Sequence, residues 1–185
     1  MDISKSFQEV PYLEFKKALP SYLCDKIIEE GTSKNLEIAT VKNKDTPDFK
    51  RNTEVSWFDY SHYISGLMFH YGNIANRLCY NFDIDSPSKA TQFGKYTKDC
   101  FYTPHVDTDF WGDGMRKLSV VCVLSKRKDY TGGDFYLERI EKKYVDFEEQ
   151  GTIIVFPSST IHGVEKVKSG TRYSLVSWLT GPKIK

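Results

Sequence analysis

Apolar residues recur along this chain with two different periods, and the period changes near residue 90. From residue 21, Tyr22, Leu23, Ile27 and Ile28 repeat at helical spacing. Pro20-Ser21 opens this helix with Ser21 as its cap, and Gly31 is expected to close it. A longer helical pattern covers residues 61–80, where Tyr63, Ile64, Leu67, Tyr71, Ile74, Ala75 and Leu78 recur at three- and four-residue steps. Such steps place one apolar stripe against a core, and Asp59 or Ser61 can cap the start. Between the two helices, residues 41–50 are polar and include Pro47, the pattern of an exposed loop, and residues 53–58 read as a short strand containing Trp57.

From residue 90 onward the pattern is one of short strands separated by turns. The candidates are 91–96, 101–107, 118–125, 134–138, 144–147, 152–156, 161–164 and 172–179, punctuated by Gly132-Gly133, Gly151 and Ser169-Gly170. Short strands at such spacing predict a mainly β protein, here a double-sheet jelly roll. The helices would pack on one outer sheet face, the arrangement that buries their stripes without disturbing the interior. The expectation is a single domain over residues 1–185, with a helical support region at about 1–89 and a β core at about 90–181.

Composition narrows the partners. Lys+Arg 26 against Asp+Glu 25 leaves a net charge of +1, so nothing global attracts polyanions and nucleic acid is not expected as a partner. The basic run Lys126-Arg127-Lys128 reads as a solvated loop after a strand. Cys24, Cys79, Cys100 and Cys122 lie far apart with no CxxC pair, which matches buried free thiols in a reducing compartment. The N-terminus lacks a signal-peptide pattern, and no apolar run approaches the ~18 residues of a membrane helix. A cytoplasmic protein without membrane partners is the expectation.

The chain has four histidines. His62 and His70 fall on the long helix and read as partly exposed helix residues. His105 and Asp107 stand two apart in the predicted strand 101–107, so their side chains leave one face while Val106 points into the opposite layer. His162, after the turn Pro157-Ser158-Ser159-Thr160, is the natural third ligand. Two imidazoles and one carboxylate form the facial triad of non-haem iron(II) sites, which leaves positions open for a bidentate 2-oxo acid and for O2. Such a co-substrate needs a cation near its far carboxylate. Arg172 lies ten residues after His162, and Ser174, two further on, shares its face. A guanidinium and a hydroxyl together suit a carboxylate.

The order of these motifs resembles the 2-oxoglutarate/iron(II) oxygenase superfamily, and within it the prolyl 4-hydroxylase-like branch. The similar stretch runs from about residue 92 to 181. It comprises Gln92-Phe-Gly-Lys-Tyr96, Phe101-Tyr-Thr-Pro-His-Val-Asp107, Leu118-Ser-Val-Val-Cys-Val-Leu124, Gly132-Gly-Asp-Phe135, Gly151-Thr-Ile-Ile-Val-Phe-Pro157, His162-Gly-Val164 and Arg172-Tyr-Ser-Leu175. The resemblance implies a double-stranded β-helix (jelly roll, cupin-like) with Fe(II) held by His105, Asp107 and His162. It implies 2-oxoglutarate and O2 as co-substrates, with ascorbate an optional addition. Arg172 would bind the 5-carboxylate, where collagen-type prolyl hydroxylases carry a lysine. Tyr96 matches a family tyrosine whose hydroxyl helps hold the co-substrate. Ser174 is open between co-substrate contact and plain strand residue. Tyr102, on the opposite parity from His105, reads at least equally well as sheet packing.

The implied reaction converts 2-oxoglutarate to succinate and carbon dioxide and hydroxylates an unactivated C–H bond, with a prolyl residue in a peptide or protein as the favoured substrate. Hydroxylation of a free amino acid or other small molecule is the alternative; a metal-binding module without turnover is the alternative of another class. Two segments are candidate lids: residues 108–116 with Trp111, which either gates the site or pins the loop, and residues 41–51. Arg51 and Trp57 sit where prolyl hydroxylase relatives build part of their peptide-binding side.

Overall fold

The computed structural model of the chain describes residues 12–39, 51–87, 90–108, 115–139 and 141–183. Both candidate lid segments fall largely outside them, Trp111 included. The first part of the chain forms β1 (Leu13–Phe15), α1 (Ser21–Ser33), β2 (Glu37–Ile38), β3 (Arg51–Asn52), β4 (Glu54–Asp59), α2 (Tyr63–Ala75) and β5 (Ser86–Pro87). There follow β6 (Ala90–Tyr96), β7 (Phe101–His105), β8 (Met115–Val123), β9 (Tyr130–Gly132) and β10 (Phe135–Glu138). The last strands are β11 (Lys142–Tyr144), β12 (Ile153–Pro157), β13 (Ile161–Val164), β14 (Val167–Gly170) and β15 (Arg172–Gly181).

Two antiparallel sheets face each other as a jelly roll, as the strand pattern predicts. The larger has the order β1-β12-β8-β15-β6-β4-β2, with β5 also pairing β15; the smaller has the order β11-β10-β13-β7-β3. A separate two-stranded ribbon joins β9 to β14. Strands β1, β2, β4 and β5 of the larger sheet, and β3 of the smaller, come from before residue 90.

Strand alternation sorts the larger sheet into two cores. Phe93, Leu118, Val120, Cys122, Ile153, Val155, Leu175 and Leu179 turn outward and pack with Cys24 and Ile27 of α1 and Ile64 and Met68 of α2. Their neighbours Val121, Val123, Ile154 and Phe156 turn inward and meet Phe135, Leu137 and Val164 of the smaller sheet. The helices therefore cover one outer face, and the space between the sheets is free for a site. A buried hydroxyl chain ties the layers, Ser65 Oγ donating to Thr91 Oγ1 at 2.9 Å and Thr91 Oγ1 to Ser177 Oγ at 3.3 Å.

Several expected details differ. Gly31 does not end α1: the helix runs on to Ser33, and Gly31 is buried where any Cβ would strike the ring of Phe93. It is a close-approach glycine, not a cap. The buried face of α1 is Cys24, Ile27 and Gly31, whereas Tyr22 is 73% exposed. On α2 the buried line is Ile64, Ser65, Met68, Gly72 and Ala75, so the stripe read from Tyr63 and Leu78 is rotated toward the sheet. The α2 cap is His62, whose Nδ1 accepts from the Ile64 amide; Asp59 instead accepts from Ser61 one turn earlier. His70 is exposed. The helix continues as one π turn over Asn76–Tyr80, and Asn76 closes it by bonding both the amide and carbonyl of Phe82. Strand β11 precedes its expected position: the ladder with β10 ends at Tyr144, Val145 adds one backbone bond to Phe135, and Val145 and Phe147 are buried in irregular chain. All four cysteines are free, with Cys24, Cys100 and Cys122 buried. No described helix is long and apolar enough to cross a membrane.

Candidate metal centre and its cavity

Strand β7 brings His105 beside His162 of β13, the two being direct partners in the antiparallel ladder. The next pair is Val164 with Tyr102, so β7 uses three residues where β13 uses two. The extra residue falls at Thr103-Pro104, and Pro104 has no N–H to give the ladder. This irregularity resets the alternation. Tyr102, read as facing away from His105, lies on its ring with centroids 3.6 Å apart and planes 17° from parallel.

The strand ends at His105, two residues earlier than the pattern suggests. Asp107 is held by the turn before β13 instead, its amide donating to the Ser158 carbonyl at 2.9 Å. Val106 is accordingly exposed, not inserted in the opposite layer. His105, Asp107 and His162 nevertheless converge: each offers a ligand atom, and these lie within 4.8 Å of one another. His105 Nε2 is 3.6 Å from Asp107 Oδ1, and His162 Nε2 is 3.3 Å from Asp107 Oδ2. An octahedral ion with bonds of about 2.1 Å sets its cis ligands about 3 Å apart, close to the two separations at Asp107.

Both rings are oriented by the same local device. His105 Nδ1 bonds the Thr103 carbonyl at 2.8 Å and His162 Nδ1 the Thr160 carbonyl at 2.9 Å, two residues back in each case. Each Nδ1 is thereby committed as a donor, and each Nε2 is left to the centre. Asp107 Oδ2 accepts from Ser119 Oγ at 2.7 Å, and Ser119 Oγ lies 2.9 Å from Ser158 Oγ. The electrostatics favour the ligating form at His105 and Asp107, and the protonated form at His162 while it faces Asp107 alone. Burial and the adjoining His162 push His105 down to about 4, keeping it neutral. Burial works to raise Asp107, but His162, His105 and the Ser119 hydroxyl together hold it well below the usual carboxylate range. His162 moves up from its ordinary value because contact with Asp107 outweighs burial.

The centre lies in a cavity of about 340 Å³ between the sheets, and Tyr96, Arg172 and Ser174 also line it. Alternation along β15 puts Arg172, Ser174, Val176 and Trp178 on this side and Leu175 and Leu179 on the helix side. Arg172 is 1% exposed. Its Nη1 donates to Ser174 Oγ at 3.1 Å, while its Nη2 is buried with no hydrogen-bond partner. Among the described residues this buried guanidinium keeps a free donor and has no carboxylate beside it, a state that suits it to an anion. Tyr96 is the ladder partner of Arg172, its ring 5.3 Å from the guanidinium carbon. Gly133, in the left-handed region at φ +64°, passes where a Cβ would sit 3.3 Å from Arg172 Cδ.

The sequence patterns underweighted three further groups that line the cavity: Tyr102, Arg51 and Arg116. Arg51 lies over the Tyr102 ring at 4.6 Å and donates to Gln92 Oε1 at 2.7 Å. Arg116 lies 3.8 Å over the ring of Trp178.

Residues 91–180 match the family model of the 2OG-Fe(II) oxygenase superfamily. A PKHD-type hydroxylase of Prochlorococcus marinus (strain MIT 9515) is 30% identical over 138 residues, 75% of this chain and 60% of that relative. The chain spans 60% or less of the length of the curated relatives it matches first. Among solved structures, a prolyl-4-hydroxylase of Pseudomonas putida superposes with a TM-score of 0.74 at 18% identity, covering 97% of each chain. A prolyl hydroxylase of Trichoplax adhaerens, in complex with a hypoxia inducible factor peptide fragment, gives a TM-score of 0.76 at 16% identity, covering 96% of this chain and 87% of that one. At these identities the structural likeness is one of fold.

Proposed function

We propose that this chain, whose residues 91–180 match the family model of the 2OG-Fe(II) oxygenase superfamily, is a dioxygenase that hydroxylates a prolyl residue in a peptide or protein. The observation that carries the reading is the buried Arg172 with an unpartnered Nη2, lining the same cavity as His105, Asp107 and His162. In this reading the three clustered residues hold Fe(II), and Arg172 takes the far carboxylate of 2-oxoglutarate. Ser174 stands behind Arg172 and fixes its fork, and Tyr96 adds a hydroxyl on the opposite strand. Iron, 2-oxoglutarate and O2 bound together supply the oxidising power for an unactivated C–H bond, with succinate and carbon dioxide as by-products.

The chain's own residues do the remaining work. The carbonyls of Thr103 and Thr160 hold both imidazoles in the ligating tautomer. Val121, Phe135, Val164 and Val176 give the cavity apolar walls that exclude water from the reacting centre. Trp57 lines the cavity while 45% exposed, so this side opens to solvent and can admit a chain segment. The peptide-bound Trichoplax structure shares this fold, which supports a peptide or protein as the substrate class.

The test is anaerobic addition of Fe(II) and 2-oxoglutarate, observation of the visible charge-transfer band, then admission of O2 and measurement of succinate. The wild type is expected to give both signals and His105→Ala neither. A wild type without the band, or a band unchanged in His105→Ala, overturns the proposal. A prolyl-peptide library read by a gain of one oxygen mass then identifies the substrate.

A further inference from the structure

Iron and 2-oxoglutarate would engage the triad and Arg172, and they leave the other two arginines of the cavity without a role. Arg51 and Arg116 both line it, and among the described residues neither has a carboxylate within ion-pair distance. Arg51 is held by Gln92 and Tyr102, and its Nε is buried without a partner. Arg116 rests over the Trp178 ring, a contact that uses none of its N–H donors. Trp178 is 6% exposed, and its indole N–H is also buried without a partner.

Charge balance says what belongs opposite them. The described cavity lining has three arginines and one acid, Asp107, whose carboxylate already faces His105, His162 and Ser119. Divalent iron and dianionic 2-oxoglutarate cancel one another. The excess of positive charge therefore stays with Arg51 and Arg116, on a partly dehydrated wall where unpaired cations are costly. Donors left free on a guanidinium match a carboxylate fork.

We infer that the substrate carries a carboxylate close to the hydroxylated carbon, and that Arg116 on its Trp178 platform, with Arg51 lining the same cavity, forms the subsite that receives it. This rests on the oxygenase reading for where the substrate lies. The carboxylate has two sources: an acidic side chain next to the target residue in a peptide, or the free carboxylate of an amino acid or peptide terminus.

The experiment measures binding by calorimetry to the full chain loaded with Fe(II) and 2-oxoglutarate in the absence of O2. The probes are end-blocked Ala-Pro-Glu against Ala-Pro-Gln, and L-proline against L-prolinamide. The acid of at least one pair is expected to bind about tenfold tighter than its amide, the scale of a charge-assisted hydrogen bond, and the advantage should shrink as salt rises. Preference in the peptide pair assigns the acidic side chain; preference in the proline pair assigns the free carboxylate. Arg116→Gln should abolish the preference, Arg116→Lys should restore part of it, and 2-oxoglutarate affinity should stay unchanged in both. Equal binding of acids and amides overturns the inference. So does a preference that survives both Arg116→Gln and Arg51→Gln, or the absence of binding by every probe. A chain that binds neither iron nor 2-oxoglutarate fails the oxygenase reading instead, and the acid-against-amide comparison on the metal-free chain then decides the subsite by itself.

Discussion

Asp107 is the residue on which the centre depends, because it has left the regularity of β7 and its carboxylate must be held by side chains. Ser119, on β8, donates to its Oδ2 and is itself joined to Ser158 of the turn before β13. Removing that hydroxyl leaves the cluster intact in composition but loosens the carboxylate that both histidines face. Partners of this kind commonly carry about tenfold or more in metal affinity. Ser119→Ala is therefore expected to weaken Fe(II) or Mn(II) binding by about tenfold in a chelator-competition titration, with little change in thermal stability. Arg172→Ala belongs to the same scale with the opposite signature: metal affinity nearly kept, and the 2-oxoglutarate concentration for half-maximal turnover raised by about tenfold or more, the size of a lost charge-assisted contact. Loss of iron in that variant would show that its role lies elsewhere. The clustered His105, Asp107 and His162 were legible in sequence because histidines are few and the spacing is distinctive. Ser119 and Tyr102 were not legible. Serine is common, and its use depends on a turn meeting a strand twelve residues from Asp107; Tyr102 depends on an irregularity in β7 that inverts the simple alternation.

Among the elements, α1 shows how a backbone contact overrides a local preference. An alanine at Gly31 would gain about 1 kcal/mol of helix propensity, but its Cβ would strike the base of the Phe93 ring, a side chain with no exposure and no room to turn away. Overpacking at such a point costs about 1–3 kcal/mol, so Gly31→Ala is expected to destabilise the fold. Urea denaturation would show a lower midpoint with an unchanged slope; a raised midpoint would mean the helix can shift. The existence of both helices and the order of the main strands followed from periodicity alone. Their ends did not. α1 runs past its glycine because the sheet, not the glycine, determines what fits there, and α2 starts at His62 because that side chain is the one placed to accept the Ile64 amide. The contributions of β1, β2 and β3 were invisible for a related reason: such short segments carry too little pattern, and only their partners β12, β4 and β7 make them strands.

For the molecule as a whole, stability and the site share one sheet. The outward core holds the helices and the inward core holds the second sheet, and the cavity opens beside the inward core. Ligands that fill it bind the folded chain alone, and at a hundredfold excess over Kd each contributes about 2.7 kcal/mol. For a chain of this size that corresponds to about 5–10 °C in Tm. Differential scanning fluorimetry is expected to show a rise with Mn(II), a further rise with 2-oxoglutarate, and reversal by a chelator. In Arg172→Ala the metal step should remain and the 2-oxoglutarate step should vanish. An equal 2-oxoglutarate step in that variant would remove Arg172 from the co-substrate site.

The alternation of β15 has a consequence for how such a protein changes over generations. Positions 172, 174, 176 and 178 look into the cavity, whereas Leu175 and Leu179 look into the helix layer. Cavity lining and foldedness are thus written on opposite sides of one ribbon, in separate letters. A lineage can revise Val176 or Trp178 to suit a new molecule while the helix-facing letters stay as they are. A single inserted residue, by contrast, would exchange the two scripts and forfeit both at once. On this strand, substitution is an available route to new chemistry and insertion is closed.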